Sequence, residues 1–321
     1  MSIGVLIPII AAILTITGNV AGGAWAIVAL VWLVGAGVVR MPSGQGPDAP
    51  ALPVVLAILH FLVLYSAVYG LGTTIWNGGI LALVASGLYL AQVSNSAAHE
   101  LIHSPKRGPV RLGIAVFASI LFGHHYSAHR LVHHIHVATE NDPNTARKGT
   151  TVYGFIPRAW LGSFSAGLAA EKRRGNAKVY WLCTATSFTF LIASGLIGGV
   201  AGLLAHLALA FYASTMLLVS DYVQHYGLKR MTDPNGKVEP VGPQHSWDAP
   251  PGLADHLMLN APRHASHHVH PARGYGELDR HTGANTLPYA LSVMIWIAFL
   301  PRLWRRLMDK RLDRLAGQAR A

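Results

Sequence analysis

From Met1 to Val39 the chain carries no Lys, Arg, Asp, Glu or His. A bilayer core takes about 20 apolar residues per helix, so this run is long enough for two spans, and Gly18, Asn19, Gly22 and Gly23 divide it near the middle. A helical hairpin is expected, with spans at about residues 3–17 and 22–39. The run has no basic start, short apolar core and small-residue cleavage site of a secretory signal, so it reads as mature membrane structure. Arg40 closes it, and the Pro/Gly-rich segment Met41 to Pro50 reads as a loop. Later apolar runs predict spans at 51–70, 79–98, 179–197 and 202–219, the last two joined by a turn at Gly198-Gly199. Composition agrees: 52% hydrophobic and 12% charged residues, with mean hydropathy +0.37, leave too few polar side chains to cover a soluble chain of 321 residues. The expected fold class is an all-α integral membrane protein, a single membrane domain over residues 1–321 with six transmembrane helices.

Basic residues set the orientation. Arg40, Lys106, Arg107, Arg111, Lys172, Arg173, Arg174, Lys229 and Arg230 fall at one set of loop ends, while the turns near Asn19, Thr73 to Gly78 and Gly198 are uncharged. Cytoplasmic loops are enriched in Lys and Arg, so both termini are expected in the cytoplasm. Two histidine-rich segments, 99–178 and 220–285, fall on that same side, as does a basic C-terminal tail, 302–321. Leu112 to Gly123 is too short to span. Thr286 to Leu300 is interrupted by Pro288 and closed by Pro301, ahead of a basic helix Arg302 to Arg314. Both apolar pieces are expected to pack under the bundle. The formal net charge of +11 suits anionic membrane lipids and steers an acidic partner. Nucleic acid is not expected as a partner, because the basic residues flank spans and no recognition motif is present.

The metal chemistry of such a chain must rest on histidine or carboxylate. Cys183 is the only cysteine, which excludes internal disulfides and cysteine-held metal sites, whereas 18 histidines exceed the 14 acidic residues. His99-Glu100-Leu101-Ile102-His103 sets two imidazoles four apart, on one face of a helix. That spacing also marks zinc proteases, where the glutamate is the general base, so alone it leaves zinc and iron open. His129, His133 and His134 stand at i, i+4, i+5, the first two expected on one helical face with the third beside them. His264, His267 and His268 stand at i, i+3, i+4, and His225 lies just past the sixth span. One tetrahedral zinc takes four ligands, so nine imidazoles imply at least two ions, and imidazole with open positions serves redox iron. An intramembrane zinc protease leaves seven of these histidines idle. A metal transporter places its ligands along a path within the spans. His60 and His206, isolated in apolar runs, are expected to be hydrogen-bonded structural groups. His124, His125, His136, His245, His256, His270 and His281 are candidates for orienting ligand rings.

Four stretches carry a resemblance. NSAAHELIH (95–103), HRLVHHIHVATENDPNTARKG (129–149), SDYVQHYGLKR (220–230), and QHSWDAP (244–250) followed by RHASHHVHPARGY (263–275) are similar to the histidine boxes of the membrane-bound alkane monooxygenases, within the superfamily of membrane desaturases and hydroxylases. The match covers roughly residues 50 to 305. It implies six spans under a cytoplasmic histidine-rich diiron cap in a bacterial inner membrane. It also implies O2 as cosubstrate, rubredoxin and its reductase as electron donors, and hydroxylation of the terminal C–H of an alkane. The implied iron ligands are His99, His103, His129, His133, His134, His225, His264, His267 and His268. Glu100, Asp142 and Asp255 are expected to hydrogen-bond ligand rings. Departures from the family's pattern are Ala128 where a glutamate is usual, Val132 for a glycine and Ser266 for an aspartate. These leave desaturation, or hydroxylation of acyl or aryl-methyl substrates, as the alternative on the same fold. Trp76, Tyr65, Phe61 and Leu88 are candidates to line the substrate's path from the bilayer.

Overall fold

A computed structural model describes residues 2–42, 49–73 and 79–318. Most of the expected Met41 to Pro50 loop, the turn after Thr73 and Trp76 lie outside the described residues. The chain is mostly helical. Helices α1 (Ile3–Ala21) and α2 (Gly23–Val38) form the hairpin, reversed at Gly22 with φ 82°, a conformation that glycine adopts without steric cost. At Gly18 a Cβ would stand 2.9 Å from the Ala26 backbone, so the absent side chain lets the two helices cross closely. Asn19 belongs to α1, where it ties neighbouring helices together: Nδ2 donates to Ser66 Oγ at 2.9 Å, and Oδ1 accepts from Ser86 Oγ at 3.1 Å.

Helix α3 (Leu52–Thr73) packs against α1 and against α8 (Lys178–His225). Helix α4 (Gly79–Ile102) contains a π-turn, Leu90–Ser94, and runs directly into the first histidine pair. α8 is 48 residues long but is two helices back to back. Gly199, at φ 58° and ψ −151°, breaks the helical path, and Ser194 Oγ then meets His206 Nδ1 at 2.6 Å across the reversal. α1, α3, α4 and α8 are long and apolar enough to cross a membrane, with α2 shorter. Large apolar side chains such as Val31, Ile58, Phe188, Ile192 and Phe211 point outward and exposed, as lipid-facing residues do.

The two apolar segments too short to span are helices α5 (Arg107–Ser119) and α11 (Leu291–Ala298), packed on α4 and α8 respectively. The tail helix α12 (Pro301–Gln318) is amphipathic. It buries Trp304 against Tyr222 and Tyr226, at 5.0 and 5.2 Å between ring centroids, while its arginines face outward. Among the described residues the one sheet is a parallel pair, Trp247–Asp248 with Asn285–Thr286.

Candidate metal centre

α4 ends by presenting His99 and His103 one α-helical turn apart, with ring centroids 5.0 Å from each other. Glu100, between them, reaches no imidazole among the described contacts. Its Oε1 accepts from the Tyr275 backbone N–H at 3.1 Å and so ties α4 to the loop that follows the third histidine cluster.

The second cluster departs from the expected geometry. His125–Ala128 is α-helical, but His129–His133 is a π-turn in which the His134 N–H bonds the His129 carbonyl. The i→i+5 bond widens the turn, so the residue one turn on from His129 is His134, not His133. His134 Nε2 stands 2.9 Å from His129 Nε2, whereas His133 swings to the far side. After His136 the chain turns through Ala138 at φ 60° and returns beneath His133. There Asp142 Oδ1 accepts from the Asn144 N–H at 3.0 Å, a local turn, while Oδ2 accepts from His133 Nδ1 at 2.8 Å and Thr145 Oγ1 at 2.6 Å.

The third cluster begins α10 (His264–Val269), held by the small sheet: Asp248 Oδ1 accepts from the Ala265 N–H at 2.8 Å. Burial pushes the Asp248 carboxyl up to about 6. His264 and His268 share one face of the helix, and His267 points the other way. His225, at the end of α8, donates Nδ1–H to the His245 carbonyl at 3.2 Å. Asp255 engages Arg280 at 2.6 Å and Arg263 at 3.4 Å, and no imidazole among the described contacts; two guanidinium groups brought in from distant positions occupy it.

The nine histidines thus meet in two groups, His99, His103, His129, His134 and His267 in one, and His133, His225, His264 and His268 in the other. Within each, one ring nitrogen from every member lies within 4.8 Å of the others. The groups abut, with the His134 and His268 rings 4.6 Å apart.

The arrangement fits metal ions and fits little else. A neutral imidazole nitrogen offers either one hydrogen or one lone pair. Yet His129 Nε2 faces both His99 Nε2, at 2.8 Å, and His134 Nε2, which itself faces His267 Nε2 at 3.1 Å. His264 Nε2 likewise faces His225 and His268, at 2.9 and 3.0 Å. Buried His103 Nε2 and His133 Nε2 have no hydrogen-bond partner among the described residues. A cation accepts every one of these lone pairs. Burial, reinforced by neighbouring rings, holds His103, His129, His134, His264, His267 and His268 well below the usual imidazole range, so they are neutral at neutral pH, as ligands must be. Burial also works to lower His133, but the charge and hydrogen bond of Asp142 outweigh it and raise the imidazole. The same contact holds Asp142 below its ordinary value despite its own burial.

A largely apolar cleft lined by Leu88, Met216, Leu217, Ile295 and Trp296 is also lined by His99, His129 and His264, rings drawn from both groups. Of the other path candidates, Phe61 stacks on Phe190 at 5.2 Å and Tyr65 donates to the Phe190 carbonyl at 3.3 Å, outside this cleft. His60 and His206 are hydrogen-bonded at Ser119, with His60 Nε2 2.7 Å from its Oγ and His206 Nε2 2.6 Å from its carbonyl. His125 stacks on His129 at 4.8 Å, His124 meets Ser163 at 3.3 Å, and His245 meets Glu239 at 2.9 Å. Asp221 and Asn144, paired at 2.6 Å, and Asp248 support the centre but were not singled out from the sequence, although SDYVQH and WDAP carry two of them.

The sequence profile described as fatty acid desaturase matches residues 73–298. Alkane 1-monooxygenase 2 of Pseudomonas aeruginosa is 29% identical over 318 residues, covering 90% of this chain and 84% of that protein. Alkane 1-monooxygenase 2 of Alcanivorax borkumensis is 29% identical over 247 residues, 74% of this chain and 64% of its own length. The xylene/toluene monooxygenase hydroxylase component XylM of Pseudomonas putida is 26% identical over 245 residues, 73% and 63% respectively. With the profile spanning the larger part of the chain, and with membrane helices and histidine clusters in place, this protein belongs to the fatty acid desaturase family and is an oxidoreductase.

Proposed function

We propose that this chain is an integral membrane monooxygenase that holds two iron ions, one in each histidine group, and hydroxylates the terminal C–H bond of an alkane with O2. The observation that carries the reading is the largely apolar cleft lined in part by rings of both groups. Bound iron would supply the redox chemistry that turns O2 and incoming electrons into an oxidant strong enough for an unactivated C–H bond. The rest falls to the chain's own residues. The nine imidazoles present lone pairs. Asp142 and the His245 carbonyl keep the proton on Nδ1 of His133 and His225, which leaves each Nε2 free for metal. Leu88, Met216, Leu217 and Ile295 orient a hydrocarbon and exclude water.

Six spans follow from α1 to α4 and the two arms of α8 on either side of Gly199, with both termini and the histidine cap cytoplasmic, in a bacterial inner membrane. The basic loop ends support that orientation. Electrons come from rubredoxin and its reductase, an assignment supported by the similarity to alkane monooxygenases and by the chain's net charge of +11, which would steer an acidic carrier. The similarity to a xylene/toluene monooxygenase component favours aryl-methyl compounds as the second substrate class.

The test feeds cells expressing the chain with rubredoxin and reductase on medium-chain alkanes and on xylene, reading alcohols by gas chromatography and iron in the purified protein. 1-Alkanols and about two irons per chain are expected. Aryl-methyl alcohols alone would move the reading to the second substrate class. A single zinc without iron would sink both.

A further inference from the structure

A second site lies away from the cleft, between the start of α5, the 125–130 segment and the start of α8. Lys106, Arg107, Arg111, Arg130 and Lys178 line one groove there. None of the five takes part in an ion pair among the described residues. Glu171, at the adjoining end of α7 (Val152–Arg173), does not balance them. It is buried, and its carboxylate accepts from Ser127 Oγ at 2.7 Å and Asn176 Nδ2 at 3.1 Å. The Arg130 guanidinium is positioned over the Tyr126 ring, 5.1 Å from its centre. Both α5 and α8 begin at this groove without an acidic residue in the first turn and without a side-chain cap, which adds two positive helix ends to the field.

The same two helices also give the groove an apolar wall. Val110, Ile114, Val179 and Leu182 form it, and the surface continues down α8 through exposed Trp181 and Phe188. A ligand matching both walls is an amphiphile with an anionic head. From this we infer that the groove is a binding site for an anionic phospholipid, its phosphate on Lys106, Arg107, Arg111, Arg130 and Lys178 and its acyl chains along Val110, Ile114, Val179 and Leu182. A free phosphate makes no use of the apolar wall. An acidic protein makes no use of its continuation along a lipid-facing helix.

The test titrates the purified full chain, loaded with its metal, with phosphatidylglycerol, phosphatidylcholine or inorganic phosphate, and counts bound molecules by native mass spectrometry. Wild type is expected to retain phosphatidylglycerol well above phosphatidylcholine. R107Q/R111Q should weaken that binding by about twenty- to thirtyfold with metal content unchanged, R107K/R111K should restore most of it, and R306Q/R314Q in the tail should leave it as in wild type. The proposal is overturned if phosphatidylcholine binds equally well, if the tail variant loses as much, if the lysine variant fails to recover, or if inorganic phosphate displaces the lipid completely. It is overturned as well if R107Q/R111Q weakens binding of an acidic electron carrier while lipid binding stays the same.

Discussion

The two histidine groups use one kind of donor and differ in how it is held. In the four-histidine group every member is buried, and two rings are braced from behind, His133 by Asp142 and His225 by the His245 carbonyl. The five-histidine group includes the partly exposed His99, His103 and His134, and none of its rings is braced by a carboxylate among the described residues. It also gives His99 and His129 to the lining of the cleft, against His264 alone from the four-histidine group. On the proposed function, identical side chains would then serve two purposes, one group suited to retaining its metal and the other to access.

The largest effect is expected at the junction. His134 touches both groups, so His134→Ala should abolish alcohol formation beyond the roughly 100-fold loss typical of residues that merely support a ligand. Robust product from it would break the division into two groups. Asp142→Asn should weaken metal retention in the four-histidine group by about 10–100-fold, measured as iron kept after chelator challenge. Asp255→Asn, whose partners are arginines, should leave that retention near wild type, and an equal loss in both would erase the contrast. Chelation of the wild-type protein should then proceed in two phases, the faster from the five-histidine group, with Asp142→Asn drawing the phases together. One uniform phase would mean that bracing does not matter. Smallest is Glu100→Gln, which keeps an oxygen acceptor for the Tyr275 N–H and so should cost less than about tenfold in turnover. A larger loss would reassign Glu100 to the reaction itself.

Periodicity and spacing made the helices and the clusters legible, because an apolar run or a recurring histidine is a property of the sequence itself. Helix ends were less so: α1 continues past residue 17 through Asn19 to Ala21, since Asn19 finds partners on α3 and α4 that only the folded bundle brings near. The partition of ligands was hidden for a related reason. Nothing local in HRLVHH distinguishes an i→i+4 from an i→i+5 turn. Asp255 was misplaced because a carboxylate near histidines in sequence says nothing about arginines arriving from residues 263 and 280. Asp142 was easier to find, since its own turn folds it back under His133 within nine residues.

The wide turn at His129–His133 makes the backbone's winding, rather than side-chain identity alone, a determinant of how these histidines are divided. Were the same residues wound as an ordinary i→i+4 helix, His133 would take the place of His134 one turn on from His129, with every histidine still present but the two groups exchanging a member.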